Sequence, residues 1–267
     1  MPDLNVGIHG AAGRMGRRLV ALAMQDPSLK LSAALEMATH PQLTEDSGIV
    51  AGEGRSGVPI ASELGADGVD VIIDFSVPEG AARAVQLCLA KQIPLVMATT
   101  GLTAEQEAAI RELAQLVPVV WAPSMSMAVN LTMKLAAIAG KTLKDADSDV
   151  EIIERHHRFK EDSPSGTALR FGAIIADEMG ITQHQHGREG RPGPRPHDQI
   201  GYHAVRTGDN PGEHTMIFGM LGETIELTVR ASNRDCYASG ALTAAKFVAG
   251  KPPGLYDMFD VLGLHNT

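Results

Sequence analysis

With 267 residues the chain makes one large domain or two modest ones and can bury a sizeable core. Hydrophobic residues at 44% and charged residues at 21% are ordinary globular proportions, which excludes a disordered or fibrous chain. The balance of 23 basic against 32 acidic side chains, a net charge of −9, leaves no surplus cation to neutralise nucleic acid or an anionic membrane.

Leu4–Ile8 reads as a strand and Met15–Gln25 as a helix with Leu19, Leu22 and Ala23 on one face. Leu31–Leu35 reads as a second strand, and the apolar run Val69–Phe75 as one buried on both faces. A helix over Glu79–Lys91 and a strand over Pro94–Ala98 follow. Next come a helix over Thr103–Gln115, opened by a Thr103/Gln106 capping box, and a strand over Val117–Trp121. This alternation predicts a doubly wound parallel sheet, a Rossmann-like α/β domain.

Beyond about residue 127 the pattern changes. Helices are predicted over Val129–Leu143 and Thr167–Met179, with a strand at Val150–Glu154 between them. A Gly/Pro-rich loop, His184–His197, precedes strands at Gly201–Arg206, His214–Phe218 and Thr224–Arg230. In the last of these, Ile225, Leu227 and Val229 alternate with Thr224, Glu226 and Thr228, which predicts an antiparallel strand with one wet face. Cys236–Val248 reads as a helix and Leu255–Leu264 closes the chain. The second domain is therefore expected to be α+β, with a mixed or antiparallel sheet.

Two cysteines, neither in a CxxC pair, make no disulfide framework and fit a reducing, cytoplasmic compartment. Asp3 precedes the first arginine, and Arg14, Arg17 and Arg18 follow the first apolar run, the reverse of a secretory signal. The uncharged stretch Leu113–Met133 is long enough to span a bilayer, but Gln115, Pro118, Pro123, Ser124, Ser126, Asn130 and Thr132 make it too polar and too broken for lipid. A soluble protein with no membrane and no nucleic-acid partner is expected.

Two segments carry chemistry. In Val6–Gly16, glycines at 10, 13 and 16 lie between the first strand and the first helix, where a tight turn and free N–H groups suit a dinucleotide pyrophosphate. Glu36, 20 residues beyond Gly16, stands where a ribose hydroxyl needs an acceptor. The second segment, Glu154 to Ala168, sets His156, His157 and Lys160 at a strand end before Ser-Pro-Ser-Gly-Thr. On a continuing strand the two histidines face opposite ways, so they are expected to do different jobs. The N–H groups ahead of the next helix, with the Ser165 and Thr167 hydroxyls, suit a carboxylate. Donors, a cation and a proton source together suit an anionic substrate that is protonated during reaction, although spacing alone fits a solvated charged loop equally well.

The stretches GAAGRMG, VIIDFSVPEG, ATTGL, EIIERHHRFKEDSPSGTA, VRTGDNPGEHTMIF and LYDMFDVLGL occur in order along nearly the whole chain. Together they resemble the 4-hydroxy-tetrahydrodipicolinate (dihydrodipicolinate) reductase family of lysine and diaminopimelate biosynthesis. The resemblance implies that Gly10, Ala11, Ala12, Gly13, Arg14 and Met15 hold the pyrophosphate of NADH or NADPH and that Glu36 holds the adenosine ribose. Ala98, Thr99 and Thr100, with Ala122, Pro123, Ser124 and Met125, fall on its nicotinamide side. His156 takes the proton donor's place and Lys160 that of the second catalytic residue, while His157, Gly166 and Thr167 fall on substrate-binding positions. The resemblance also implies a cyclic dicarboxylate substrate, a homotetramer built through the middle sheet, and the return of the C-terminal residues to the first domain. The expected domains are 1–127 with 237–267, which bind the dinucleotide, and 128–236, which bind substrate and oligomerise. Three departures stand out: Ala98 for a glycine, Pro123-Ser124-Met125 for a polar–aromatic turn, and Met37 where some members carry arginine. With Met37 there, Glu36 is expected to favour NADH over NADPH.

Other readings are weaker. His184, His186 and His197 lack regular metal-ligand spacing, so a loop and no metal are expected, and Arg188, Arg191 and Arg195 within it read as solvated charge. Cys88 reads as core. Cys236 has no neighbour to activate it, which speaks against an aldehyde dehydrogenase with a cysteine nucleophile. A non-catalytic NAD-responsive binding protein is disfavoured by His156, Lys160 and Ser-Gly-Thr occurring together.

Overall fold

The computed structural model describes residues 4–65 and 68–265; Asp3 lies outside them. In chain order the elements are β1 (Leu4–His9), α1 (Arg14–Gln25), β2 (Leu29–Leu35), α2 (Ser47–Ala51), β3 (Ile60–Ala61), β4 (Val71–Asp74) and α3 (Pro78–Lys91). Then come β5 (Leu95–Met97), α4 (Ala104–Leu113), β6 (Pro118–Trp121), α5 (Met127–Leu143), β7 (Asp149–His156), α6 (Gly166–Met179) and β8 (Gln183–His186). The chain ends with β9 (Gln199–Arg206), β10 (Glu213–Met220), β11 (Glu223–Arg230), α7 (Asp235–Val248), β12 (Gly254–Tyr256) and α8 (Met258–Leu262). Two compact units result: one runs to Met127 and resumes at Arg234, and the other is Ala128–Asn233.

The first unit holds a seven-stranded sheet in the order β12-β6-β5-β4-β1-β2-β3, with every pairing parallel. Its central strands are buried on both faces, hence their near-continuous apolar runs. Leu19 and Val20 of α1 and Ala241 and Val248 of α7 share one cluster with Val6 and Ile8. Val85 and Cys88 of α3 and Ile110 and Leu113 of α4 share the other with Ile72 and Leu95. From β1 the chain builds outward through β2 and β3, then crosses back to place β4 on the other side of β1. The carboxyl ends of β1 and β4 therefore form the switch point at which such sheets bind ligands.

The second unit holds a five-stranded mixed sheet in the order β11-β10-β7-β9-β8. β7 runs antiparallel to β10 and parallel to β9. Val150 and Ile152 of β7, Phe171 and Ile175 of α6, and Met216 and Phe218 of β10 form its buried interior. Gly140 brings α5 against Ile175, Glu178 and Met179 of α6. Among the described residues, no helix is long and apolar enough to cross a membrane.

Three expectations need correction. The Gly/Pro-rich stretch opens with a strand, β8, because Gln183–His186 finds a parallel partner in β9. Two of its three arginines are not simply solvated, while Arg191 is exposed. Arg188 grips the Glu151 carboxylate with two bonds, and Arg195 bonds Glu151, Asp149 and the carbonyls of Val150 and Gln199. On β11, Ile225 is exposed with its polar neighbours and only Val229 is buried, because this is an edge strand that neither helix of the unit covers.

Candidate active site

In the first unit the turn from β1 into α1 works because two positions lack a side chain. Gly10 has a φ of +79°, and a Cβ there would lie 2.9 Å from the Phe75 carbonyl oxygen. At Gly16 a Cβ would sit 2.0 Å from the Gly10 carbonyl oxygen, so only glycine lets α1 close onto the turn. α1 begins after Gly13 with no side-chain cap and no acidic residue in its first turn, an N-terminus suited to an anion. Arg14 and Met15 are its first two residues, while Ala11 and Ala12 are buried in the loop. From the end of β2, Glu36 accepts the Ala12 N–H at 3.1 Å and the Met37 N–H at 3.2 Å, which brings its carboxylate to the loop.

The expected nicotinamide-side residues follow β5 and β6. Ala98 and Thr99 are buried and Thr100 is exposed. The Thr99 hydroxyl donates inward to Asp74 Oδ2 at 2.5 Å, so it is not turned towards solvent. Ala122 is buried, Pro123 exposed and Ser124 half-buried. Met125 is 1% exposed and belongs to the hydrophobic core, which corrects the expectation for its side chain; Gly240 of α7 packs on its carbonyl instead.

In the second unit, strand alternation puts Glu154 and His156 on the same buried face of β7. His156 Nδ1 lies 2.6 Å from Glu154 Oε2. The same carboxylate accepts a fork from Arg206 at 2.7 and 2.8 Å and the Ser165 N–H at 3.1 Å. Burial pushes the Glu154 carboxyl up, but Arg206 and His156 outweigh it and hold the group below the usual carboxylate range. An ionised carboxylate only accepts, so Nδ1 carries a proton and Nε2 is the atom that gains or loses one. Nε2 faces Gly212, where a Cβ would come within 3.0 Å of it. Burial sets the His156 pKa below the ordinary histidine value, against the pull of Glu154 and helped by the charges of Lys160 and Arg206.

Around this pair, the structure brings together most of the residues expected for the substrate. Lys160 follows in the turn after β7, its Nζ 2.6 Å from Asp162 Oδ1. Lys160 holds the Asp162 carboxyl low, and the Gly166 N–H adds to the effect. Gly166 and Thr167 open α6, whose N-cap Ser165 accepts the Ala168 N–H at 3.1 Å. Ser165 itself is 2% exposed, and its hydroxyl also lies 3.0 Å from His214 Nε2. That corrects the expectation of a hydroxyl offered to substrate: it holds the helix start and His214 in place. His157 leaves the strand, bonds the Asn210 carbonyl through its N–H, and keeps Nδ1 buried without a partner.

No expectation from the sequence gives a role to Glu154, Arg206 or His214. The Glu154/His156 spacing of two was a usable signal on a strand, but Arg206 lies 52 residues from Glu154 and joins it only through the β7–β9 pairing. His214 sits edge-on to His156 with ring centroids 5.2 Å apart, and burial pushes it down to about 4. It is therefore a neutral neighbour. The other candidates fall away on geometry: His184 and His186 stack on Tyr202, while burial pushes up the thiols of Cys88 and Cys236. Among the described residues the one metal-type cluster is Asp257, Asp260 and His265, where the two carboxylates already serve as the α8 capping box.

Comparison with known proteins covers both units. A family model described as dihydrodipicolinate reductase, N-terminus, matches residues 4–125, and one described as its C-terminus matches 128–262. The chain is 56% identical to 4-hydroxy-tetrahydrodipicolinate reductase of Rhodopirellula baltica, over 99% of this chain and 98% of that one. It is 47% identical to the enzyme of the same name from Syntrophotalea carbinolica, over 98% and 99%. A solved structure of dipicolinate-bound dihydrodipicolinate reductase from Paenisporosarcina sp. TG-14 superposes with a TM-score of 0.77 at 26% identity, covering 97% of this chain and 98% of that one. An amine dehydrogenase from Mycobacterium smegmatis, at 12% identity and a TM-score of 0.64 over 95% and 94% of the two chains, shares the fold.

Proposed function

The chain belongs to the dihydrodipicolinate reductase family, and we propose from its site how it reduces 4-hydroxy-tetrahydrodipicolinate to tetrahydrodipicolinate in the diaminopimelate route to lysine. The observation that carries this reading is the buried Glu154–His156 pair beside Lys160 and the start of α6. Gly10 and Gly16 leave a cradle that any side chain would fill, and α1 begins uncapped, so the first unit fits a nicotinamide dinucleotide. Gly10 to Met15 hold its pyrophosphate, Glu36 its adenosine ribose, and Ala98 to Thr100 with Ala122 to Ser124 its nicotinamide side. When bound, the dinucleotide supplies a hydride.

The rest falls to the second unit. Lys160 and the N–H groups of Gly166 and Thr167 hold a substrate carboxylate, and Asp162 gives way from Lys160 as it arrives. His157 stands beside the same site. Loss of water leaves an unsaturated ring, and hydride and proton add across its double bond. Glu154 keeps the Nδ1 proton in place, so His156 delivers the proton from Nε2. An arriving dianion favours the imidazolium and so loads the acid before the hydride moves. The finer readings are a preference for NADH, supported by Glu36 at the loop and an exposed Met37 beside it, and a cytoplasmic homotetramer, supported by the uncovered edge strand β11 and two cysteines that share no disulfide.

The experiment is NADH oxidation in the presence of the cyclised condensation product of pyruvate and aspartate semialdehyde. Turnover that pyridine-2,6-dicarboxylate inhibits competitively is expected. No oxidation with either NADH or NADPH overturns the reading.

A further inference from the structure

We infer that His9, through a buried bond to Asp74, is a positioning residue that holds the Thr99–Thr100 turn for the nicotinamide half of the cofactor. This rests on the dinucleotide reading of the first unit and adds to it a residue that neither the glycine motif nor the site around His156 uses.

His9 and Asp74 are register partners at the carboxyl ends of β1 and β4, directly at the switch point of the sheet. His9 Nδ1 lies 2.6 Å from Asp74 Oδ1, which also accepts the Ser76 hydroxyl at 2.7 Å. Asp74 Oδ2 accepts the Thr99 hydroxyl at 2.5 Å, and the Thr99 oxygen in turn accepts the Ser76 N–H at 3.0 Å. Asp74 is fully buried, with His9 9% and Thr99 5% exposed. A carboxylate this deep is stable only when donors surround it, and His9 is the one ring among them. The ring has little freedom. The first turn of α3 lies over it at Gly80, where a Cβ would come 3.4 Å from His9 Cε1 and 2.5 Å from Ser76 Oγ.

The bonds form one short path between two parts of the proposed cofactor site. Gly10, the first glycine of the loop, follows His9 in the chain, and Thr100, the exposed residue of the nicotinamide-side turn, follows Thr99. The glycine loop keeps its own anchors, since the Gly10 and Ala11 N–H groups bond the Leu35 carbonyl. The Thr99 turn has one backbone anchor, the Ala98 N–H on the Asp74 carbonyl, and beyond it the Thr99 hydroxyl is tied through Asp74 and Ser76. Loss of His9 therefore loosens the nicotinamide side more than the pyrophosphate side.

The test titrates NADH and ADP-ribose, which lacks the nicotinamide, into the purified protein and its variants by calorimetry. In His9→Ala the NADH Kd is expected to rise about tenfold while the ADP-ribose Kd stays within about twofold. His9→Asn, whose amide can replace Nδ1–H as donor to Asp74, is expected to recover NADH binding to within about threefold of native. Equal weakening of both ligands, unchanged NADH binding, or His9→Asn as weak as His9→Ala overturns the inference. Should His9→Ala not fold, His9→Asn and Thr99→Val carry the test, and Thr99→Val without a loss selective for NADH overturns it. A native chain that binds no NADH fails the dinucleotide reading itself, whereas a native chain and a His9→Ala chain that bind it equally fail this inference alone.

Discussion

The glycine loop of the first unit offers an anion peptide N–H groups and bare backbone, while the end of β7 in the second unit offers an imidazole held by a carboxylate that is held by a guanidinium. The two constructions follow from what each must hold. A pyrophosphate is bound and released unchanged, so fixed backbone dipoles suffice and no group needs a tuned pKa. A proton must be taken up and given away. That requires a titratable side chain whose neighbours are themselves compensated, and compensation inside a protein takes several residues. Damage to the second unit is therefore expected to strike the chemical step, and damage to the first to strike cofactor binding.

The largest expected break in this contrast is His156→Gln. Its amide can still donate to Glu154, so folding is preserved, but kcat should fall about 10²–10⁴-fold with the NADH KM within about twofold of native. Steady-state kinetics decides it, and a near-normal kcat in the folded variant removes His156 from its role.

A smaller effect concerns stability rather than rate. His214 titrates at about 4 when folded, below the ordinary value of 6.5, because burial disfavours its charge and His156 and Lys160 add to that. Between those two values the unfolded chain binds a proton that the folded chain does not, so stability falls as the pH is lowered from about 6.5 towards about 4. The loss amounts to roughly 3 kcal/mol at most. Thermal melts across that range should show a steep acid dependence in the native chain and a shallower one in His214→Gln. Parallel slopes would assign the acid sensitivity elsewhere.

Cofactor choice sharpens the other side of the comparison. A 2′-phosphate would bring its charge to the Glu36 carboxylate, and Met37 offers no guanidinium to offset it. kcat/KM should favour NADH over NADPH by about tenfold, roughly 1.4 kcal/mol. Equal values would mean that the exposed Arg14 answers the phosphate. The smallest expected effect is at Lys160: its pair with Asp162 is half exposed, and such pairs are worth about 0.2–1 kcal/mol. Asp162→Ala should thus tighten pyridine-2,6-dicarboxylate binding by no more than about fivefold. Weaker binding in that variant would show that Asp162 shapes the site instead of standing in for the substrate.

Legibility in the sequence divides along the same line. The switch from strand to helix through glycines, the Thr103/Gln106 capping box and the strand at Val150–Glu154 are local patterns, and all three stand in the structure, whereas the alternation read on β11 leaves Ile225 exposed. α2 and β3 escaped because Asp46, which caps α2 and also accepts from Ser56 and Gly57, works through a loop with no periodicity. Side-chain networks escaped for a different reason. Arg206 reaches Glu154 across 52 residues and His9 reaches Asp74 across 65, joined by strand pairing that no local spacing announces. His184–His197 read as a loop because its prolines and glycines outweighed the four residues of β8.

The central claim, that His156 holds the proton for a bound dicarboxylate, is tested most directly by titrating its ring nitrogens by NMR with and without pyridine-2,6-dicarboxylate. In the free protein Nε2 should titrate below the ordinary histidine value, because burial and the nearby cations disfavour the imidazolium. With the dianion bound it should titrate higher by roughly one pH unit or more, since an opposite charge nearby favours the protonated ring. A pKa that stays put or falls on binding would contradict the account.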